Sequence, residues 1–135
     1  MLFALAALAA LAGCTPLNAP SHTVSGTVTL NNMLQSGNAT ITVTQGSNSY
    51  TATVSAVNSF TYSVPGVPSG TYSVSMSFPS LESCGLSGSS VLLDSVSQTS
   101  SPSYDGINSI FTLTAASITI GADAQLDVSM TGNGC

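Results

Sequence analysis

From Val24 onward the apolar residues fall on alternate positions. Val24, Gly26, Val28 and Leu30 share one side of an extended chain. Ala39, Ile41 and Val43 form the next set, then Tyr50, Ala52 and Val54, then Phe60, Tyr62 and Val64, then Tyr72, Val74, Met76 and Phe78. The positions between them are almost all Ser or Thr. A period of two describes strands with one face on a core and the other in water. Thr is β-branched and suits strands, and Ser and Thr hydrogen-bond across them. Asn31-Asn32, Ser36-Gly37-Asn38, Gly46-Ser47-Asn48, Asn58-Ser59 and Pro65-Gly66-Val67-Pro68-Ser69-Gly70 separate the runs. These residues supply positive φ angles or fixed turns. No window after residue 14 has helical spacing. Turn signals every 8–12 residues or so predict an all-β fold, an antiparallel sandwich of roughly seven to nine strands.

The N-terminus is patterned differently. Residues 1–12, MLFALAALAALA, are all apolar and mostly good helix formers. The run is shorter than the roughly 20 residues that span a bilayer. It has the length of the apolar region of a secretory signal, about 7–15 residues. An N-terminal signal helix is therefore expected ahead of the sandwich. The residues that follow, Leu11-Ala12-Gly13-Cys14, resemble the lipobox of bacterial lipoproteins. The resemblance implies a signal peptide over residues 1–13, cleavage before Cys14, and acylation of the Cys14 thiol and of the new N-terminus. One departure is that the α-amine of Met1 is the only cation ahead of the apolar run. Thr15, where an Asp would retain a lipoprotein at the inner membrane, implies the outer membrane. Residues 14–22 then comprise the lipidated Cys and a tether. Its eight residues after Cys14, TPLNAPSH, carry two prolines and reach at most about 26–29 Å.

The strand motifs carry a second resemblance. Val24-Ser25-Gly26-Thr27-Val28, Gly37-Asn38-Ala39-Thr40-Ile41-Thr42-Val43, Asn58-Ser59-Phe60-Thr61-Tyr62 and Val67-Pro68-Ser69-Gly70-Thr71-Tyr72-Ser73-Val74 are similar to the carboxypeptidase-regulatory-like domain. This is the transthyretin-like (prealbumin-like) sandwich of seven strands, Ig-like in build and close to the Cna-B repeats. The match covers about residues 23–78 and resumes at residues 118–128, which resemble the closing hairpin. It implies a domain over residues 23–135, with Gly70 permitting a tight turn and Tyr72 in the core. The isopeptide cross-link of many Cna-B relatives needs a Lys, which this chain lacks. Residues 79–116 depart from the pattern as an insertion. They hold Cys84, two strand-like runs (90–96 and 110–115) and a polar loop (97–107).

Composition narrows the chemistry. The chain of 135 residues has no Lys or Arg and five Asp plus Glu, so its formal charge is -5. Charged residues are 4%, against roughly 25% in a typical soluble domain. Such a chain cannot neutralise a phosphate backbone, which excludes nucleic acid as a partner. It has no phosphate-loop lysine, Schiff-base lysine or arginine clamp. Ser (25) and Thr (16) dominate its polar surface. Sandwich edges without lysines are open to strand addition, and self-association is expected near the pI of about 4.1.

The candidate sites are few. The single histidine, His22, falls in the tether and reads as a solvated linker residue rather than a catalytic base. No motif pairs any two of Glu82, Asp94, Asp105, Asp123 and Asp127 for acid–base work. Asp94, Asp105 and Asn108 are the oxygens that a calcium site would draw on. No His/Cys spacing suggests zinc. No enzymatic activity, cofactor or metal is expected. With Cys14 lipidated, Cys84 and Cys135 remain to pair in an oxidising compartment. The alternative is bridging between molecules through Cys135. There is no Trp for a sugar platform, so Tyr104, with Asp105 beside it, is the best ligand-binding candidate. The competing reading of Tyr104 is a ring packed over the sheet end. The expectation is a non-enzymatic lipoprotein of the cell envelope, held to the membrane by its lipid anchor. It would have a structural or interaction role toward envelope proteins or glycans. The alternative is a carbohydrate- or peptide-binding accessory module.

Overall fold

The computed structural model describes residues 20–33, 37–79 and 86–133. The signal segment, Cys14, Glu82, Cys84 and Cys135 lie outside the described residues. The alternating runs form strands β1 (Ser21–Asn31), β2 (Asn38–Gln45), β3 (Asn48–Ser55), β4 (Ser59–Pro68) and β5 (Gly70–Pro79). They are followed by β6 (Leu86–Leu93), β7 (Val96–Gln98), β8 (Ser100–Asp105), β9 (Ile110–Ile120) and β10 (Ala124–Gly132). Two five-stranded sheets result, ordered β4-β1-β10-β6-β7 and β3-β2-β5-β9-β8. The all-β sandwich is therefore as expected. Its inner faces carry the alternating residues: Val24, Val28, Ile41, Val43, Val64, Phe78, Ile118, Leu126 and Met130 are among the most deeply buried.

The strand count, ten among the described residues, exceeds the seven to nine expected. Strands β1 to β5, β9 and β10 account for seven, as a three-stranded and a four-stranded half. The others come from residues 79–116. They extend both halves on the same side, β6 and β7 beyond β10 and β8 beyond β9. The expected loop at 97–107 is mostly strand, with Thr99 the only residue between β7 and β8. Its sequence hid this because an edge strand has little to bury. In β8 only Ser100 and Tyr104 are even half-buried, so no apolar alternation is required. Pro102 is tolerated because a sheet edge needs no donor on its outer side.

β1 begins at Ser21, so Ser21 and His22 belong to the sandwich rather than to the tether. Tyr72 is in the core, as expected, and its hydroxyl donates to the Pro68 carbonyl at 2.7 Å. A Cβ at Gly70 would meet the mobile end of the Gln45 side chain and the edge of the Tyr72 ring. The registers place the start of β1, Ser69 and the turns at 46–47, 94–95 and 121–123 at one end of the sandwich. The β8–β9 turn at 106–109 is at the other end.

All strand neighbours are antiparallel except β1 and β10, which run parallel. Their ladder pairs Val24 with Ala124 and Ser25 with Gln125, then resumes at Val28 and Val128. At the gap a Cβ on Gly26 would overlap the Leu126 carbonyl, so only glycine lets the two backbones come this close. The Leu126 oxygen accepts instead from the buried Tyr62 hydroxyl at 2.6 Å. The Thr27 N–H is taken up by Asp127 Oδ1 at 2.8 Å. Burial, and then the charge of Asp127, push the Tyr62 phenol well above its ordinary pKa, so it stays a proton donor.

Tyr62→Phe should strand the Leu126 carbonyl and cost about 1–3 kcal/mol, read as a melting temperature lower by several degrees. Gly26→Ala should cost at least as much, because backbone must move. The double variant should lose less than the sum, since both act at one oxygen. Additive losses in urea or thermal unfolding would show that the two residues do not share this contact.

Candidate functional site

Tyr104 is half-buried on β8, opposite Phe111 in the ladder. The two ring centroids are 5.4 Å apart and tilted by 40°. Phe111 in turn stacks on Phe78 at 6.0 Å. Tyr104 thus ends a row of three aromatic rings that carries the core out to the sheet edge. Its ring is packed over the sheet end. Its hydroxyl has no hydrogen-bond partner among the described residues, which leaves a polar tip at the surface.

Asp105 closes the turn that follows. One carboxylate oxygen accepts from the N–H of Ile107 at 2.9 Å and of Asn108 at 3.3 Å. The other accepts from the Asn108 side-chain amide at 2.6 Å. The Asn108 side chain, then the two backbone donors, hold this carboxyl below the usual aspartate range. The consequence is a fixed turn that holds Ile107 at its tip, 93% exposed. Asp105 is therefore a turn cap, with its oxygens already engaged.

The other described carboxylates do similar work. Asp94 Oδ1 accepts from the Gln125 N–H at 2.9 Å, Asp123 Oδ1 from the Thr23 N–H at 2.9 Å, and Asp127 as described above. Asp94 lies in the 94–95 turn and Asp105 at the opposite end of the sandwich, so the oxygens considered for calcium do not converge. Among the described residues no three His, Cys, Asp or Glu side chains come together. His22 Nε2 lies 2.7 Å from Ser69 Oγ, a pair that the tether reading missed. The pair is exposed, and no carboxylate among the described residues orients the imidazole, so it lacks the third member of a nucleophilic triad.

Two surfaces remain. One is the β8–β9 end, with Tyr104, Ile107 and the partly exposed Ile110. The other is a shallow groove on the outer face of β1, β10 and β6. It gathers the hydroxyl residues Thr27, Thr29, Ser90 and Ser129 around Leu92 and Asp127. The alternation puts each of these on an outward face, but the strand order that gathers them is not legible in it. Inside the core, the cavity beneath Tyr62 is only about 10 Å³, roughly what one water needs. No helix among the described residues is long and apolar enough to cross a membrane. No family model matches the chain, and comparison with curated proteins and with solved structures finds no match.

Asp105→Ala should speed amide exchange at Ile107 and Asn108 and leave the melting temperature almost unchanged, because the group is exposed. Its carboxyl titrates below the ordinary value, so the cap is complete above about pH 4 and is lost as the pH falls through the lowered pKa. The two amide resonances should move only in that acid range. Unchanged exchange in the variant would show that the turn holds without its cap.

Proposed function

We propose that this chain is a lipid-anchored, non-enzymatic β-sandwich of the cell envelope, which acts by presenting surfaces to partners. The observation that carries this reading is the use of its carboxylates. Each described one (Asp94, Asp105, Asp123 and Asp127) accepts a backbone N–H and so holds the fold. None is left as a free acid or base in a cleft. The membrane part rests on the apolar run and on Leu11-Ala12-Gly13-Cys14. Six residues separate Cys14 from Ser21 at the start of β1, and the seven steps between them reach about 23–25 Å. In this arrangement the end with the 46–47 and 121–123 turns faces the membrane. The β8–β9 tip points away from it. The three-plus-four strand core, built from the segments similar to the carboxypeptidase-regulatory-like domain, supports that resemblance.

A second reading, a carbohydrate- or peptide-binding accessory module, is favoured by the same tip. The Tyr104 hydroxyl and Ile107, held at the turn by Asp105, would offer a polar and an apolar contact at the end of the sandwich opposite the start of β1. A glycan array separates the two readings, because only the second expects a Tyr104-dependent signal.

Cells expressing the chain with labelled palmitate should yield a labelled, detergent-partitioning protein. Cys14→Ser should abolish both label and membrane fractionation. Persistence of either would remove the anchor from the proposal.

An oxidising envelope compartment also suits a Cys84–Cys135 bridge. Leu86 and Gly132 are ladder partners. Cys84 precedes the first by two residues and Cys135 follows the second by three, so both chains leave one point of the sheet. Both thiols should resist alkylation until reduction. Closing a loop of about 50 residues should contribute roughly 4 kcal/mol, lost on reduction. Free thiols in the native protein would refute the bridge.

A further inference from the structure

The sandwich has four sheet edges, and three are blocked. β4 carries Pro65 and Gly66 where its register with β1 shifts, so its outer side is kinked and short of one donor. β8 carries Pro102 and ends in Asp105. β7 is only three residues long. β3 has none of these devices. Its eight residues, NSYTATVS, include no charge, proline or glycine. They pair with β2 over eight positions without a bulge.

The phase of that pairing decides what the open side offers. β2 and β3 are joined by the two-residue turn Gly46-Ser47, with Gly46 at φ 59°. A two-residue turn is closed by a hydrogen-bonded pair, here Gln45 and Asn48. Tyr50, Ala52 and Val54 therefore also use their backbone groups on β2. Those of Ser49, Thr51, Thr53 and Ser55 point away from it. The inward side chains of Tyr50, Ala52 and Val54 are only half-buried, so the core is left partly open along this edge. Val57, just beyond the strand, is 48% exposed.

We propose that β3 is a self-association edge, where two copies of this chain join antiparallel about a two-fold axis at Ala52 and merge two five-stranded sheets into one. The occupant is a second copy because an antiparallel strand of the same sequence satisfies each feature of the edge at once. With Ala52 facing its own copy, Ser49 exchanges backbone bonds with Ser55 and Thr51 with Thr53, using the groups that β2 leaves free. Tyr50 then lies beside Val54, which extends the half-buried apolar row across the junction. Neither strand brings a charge, so nothing repels, and a partner chosen by opposite charge has nothing here to read. Among the described residues each copy uses its one unblocked edge in the contact, and the other three are blocked. The assembly therefore closes at two copies rather than growing into a fibre. The inference goes beyond the envelope reading and does not depend on it.

Sedimentation of the full chain, in density-matched detergent, should show a concentration-dependent monomer–dimer equilibrium with no larger species. The side chains of Thr51 and Thr53 are exposed on one face and would sit opposite each other across the axis. Thr51→Lys with Thr53→Lys places like charges in contact and should weaken the dimer at least tenfold. Thr51→Lys with Thr53→Glu places opposite charges there and should keep the dimer at or above wild-type strength. Thr51→Pro removes only an outward-facing donor and should give a folded monomer. A wild-type chain that stays monomeric at high concentration overturns the proposal. So does equal dimerisation of the Lys/Lys and Lys/Glu variants, which would place the contact on another surface.

Discussion

The first and last strands of the described sandwich, β1 and β10, run side by side in the same direction, and the other eight strands are arranged around that seam. Parallel neighbours cannot be joined by a tight turn, so the chain must travel through the whole domain before β10 reaches β1. The seam also places its backbones unusually close at Gly26 and Leu126. That approach interrupts the ladder and frees a carbonyl and an N–H. Tyr62 reaches in from β4 to satisfy the first, and Asp127 satisfies the second from β10 itself. Three strands are thereby fixed in register by one glycine, one phenol and one carboxylate. Joining the first and last described strands also makes the fold dominated by non-local contacts, which sets slow folding as its kinetic character.

A chain with no Lys or Arg has to use its acids differently from most proteins. No carboxylate can be neutralised by a cationic side chain other than that of the single histidine. Here the described aspartates accept from backbone amides, at turns (Asp94 and Asp105) and along the parallel seam (Asp123 and Asp127). Bonds of this kind are charge-assisted and do not need a long side chain to be ordered. The same composition leaves a surface of hydroxyls, which offers neutral hydrogen bonds and little long-range field. Recognition by such a surface relies on shape and on backbone edges. The blocked and unblocked strands at its margins therefore matter more here than in a charged protein.

Strands β6, β7 and β8 widen the two sheets beyond β10 and β9. β6 continues one sheet past β10, and β7 and β8 form a nearly continuous run that passes from one sheet to the other at Thr99. That run covers one side of the core with residues of little hydrophobicity. It delivers Tyr104 to the aromatic row and Asp105 to the turn. On the opposite side β3 and β4 are in contact, and no further described strand lies beyond either of them.

Much of the fold was legible in the sequence. Strict alternation from Val24 to Phe78 marked five strands and their inward residues, because a half-buried strand must show water and core by turns. Gly26 sat in that rhythm as one more inward position, and only the structure shows that it is glycine because the Leu126 carbonyl occupies the space of a Cβ. The run at β8 could not be read, since Ser-Ser-Pro-Ser-Tyr-Asp buries almost nothing and pattern reports only burial. His22 looked like linker because a proline precedes it at position 20 and no rhythm surrounds it, whereas β1 begins at Ser21. For the candidate site, the sequence singled out Tyr104 and Asp105. Only the tertiary structure decided that the first is a packed ring with a free tip and the second a turn cap. Strand order did what pattern cannot. It brought residues a hundred positions apart into hydrogen-bonding distance, gathered the hydroxyls around Asp127, and left β3 alone at an open edge. Alternation fixes which face a residue takes, while neighbours across a sheet depend on which strands pair, and that is settled by the whole chain at once.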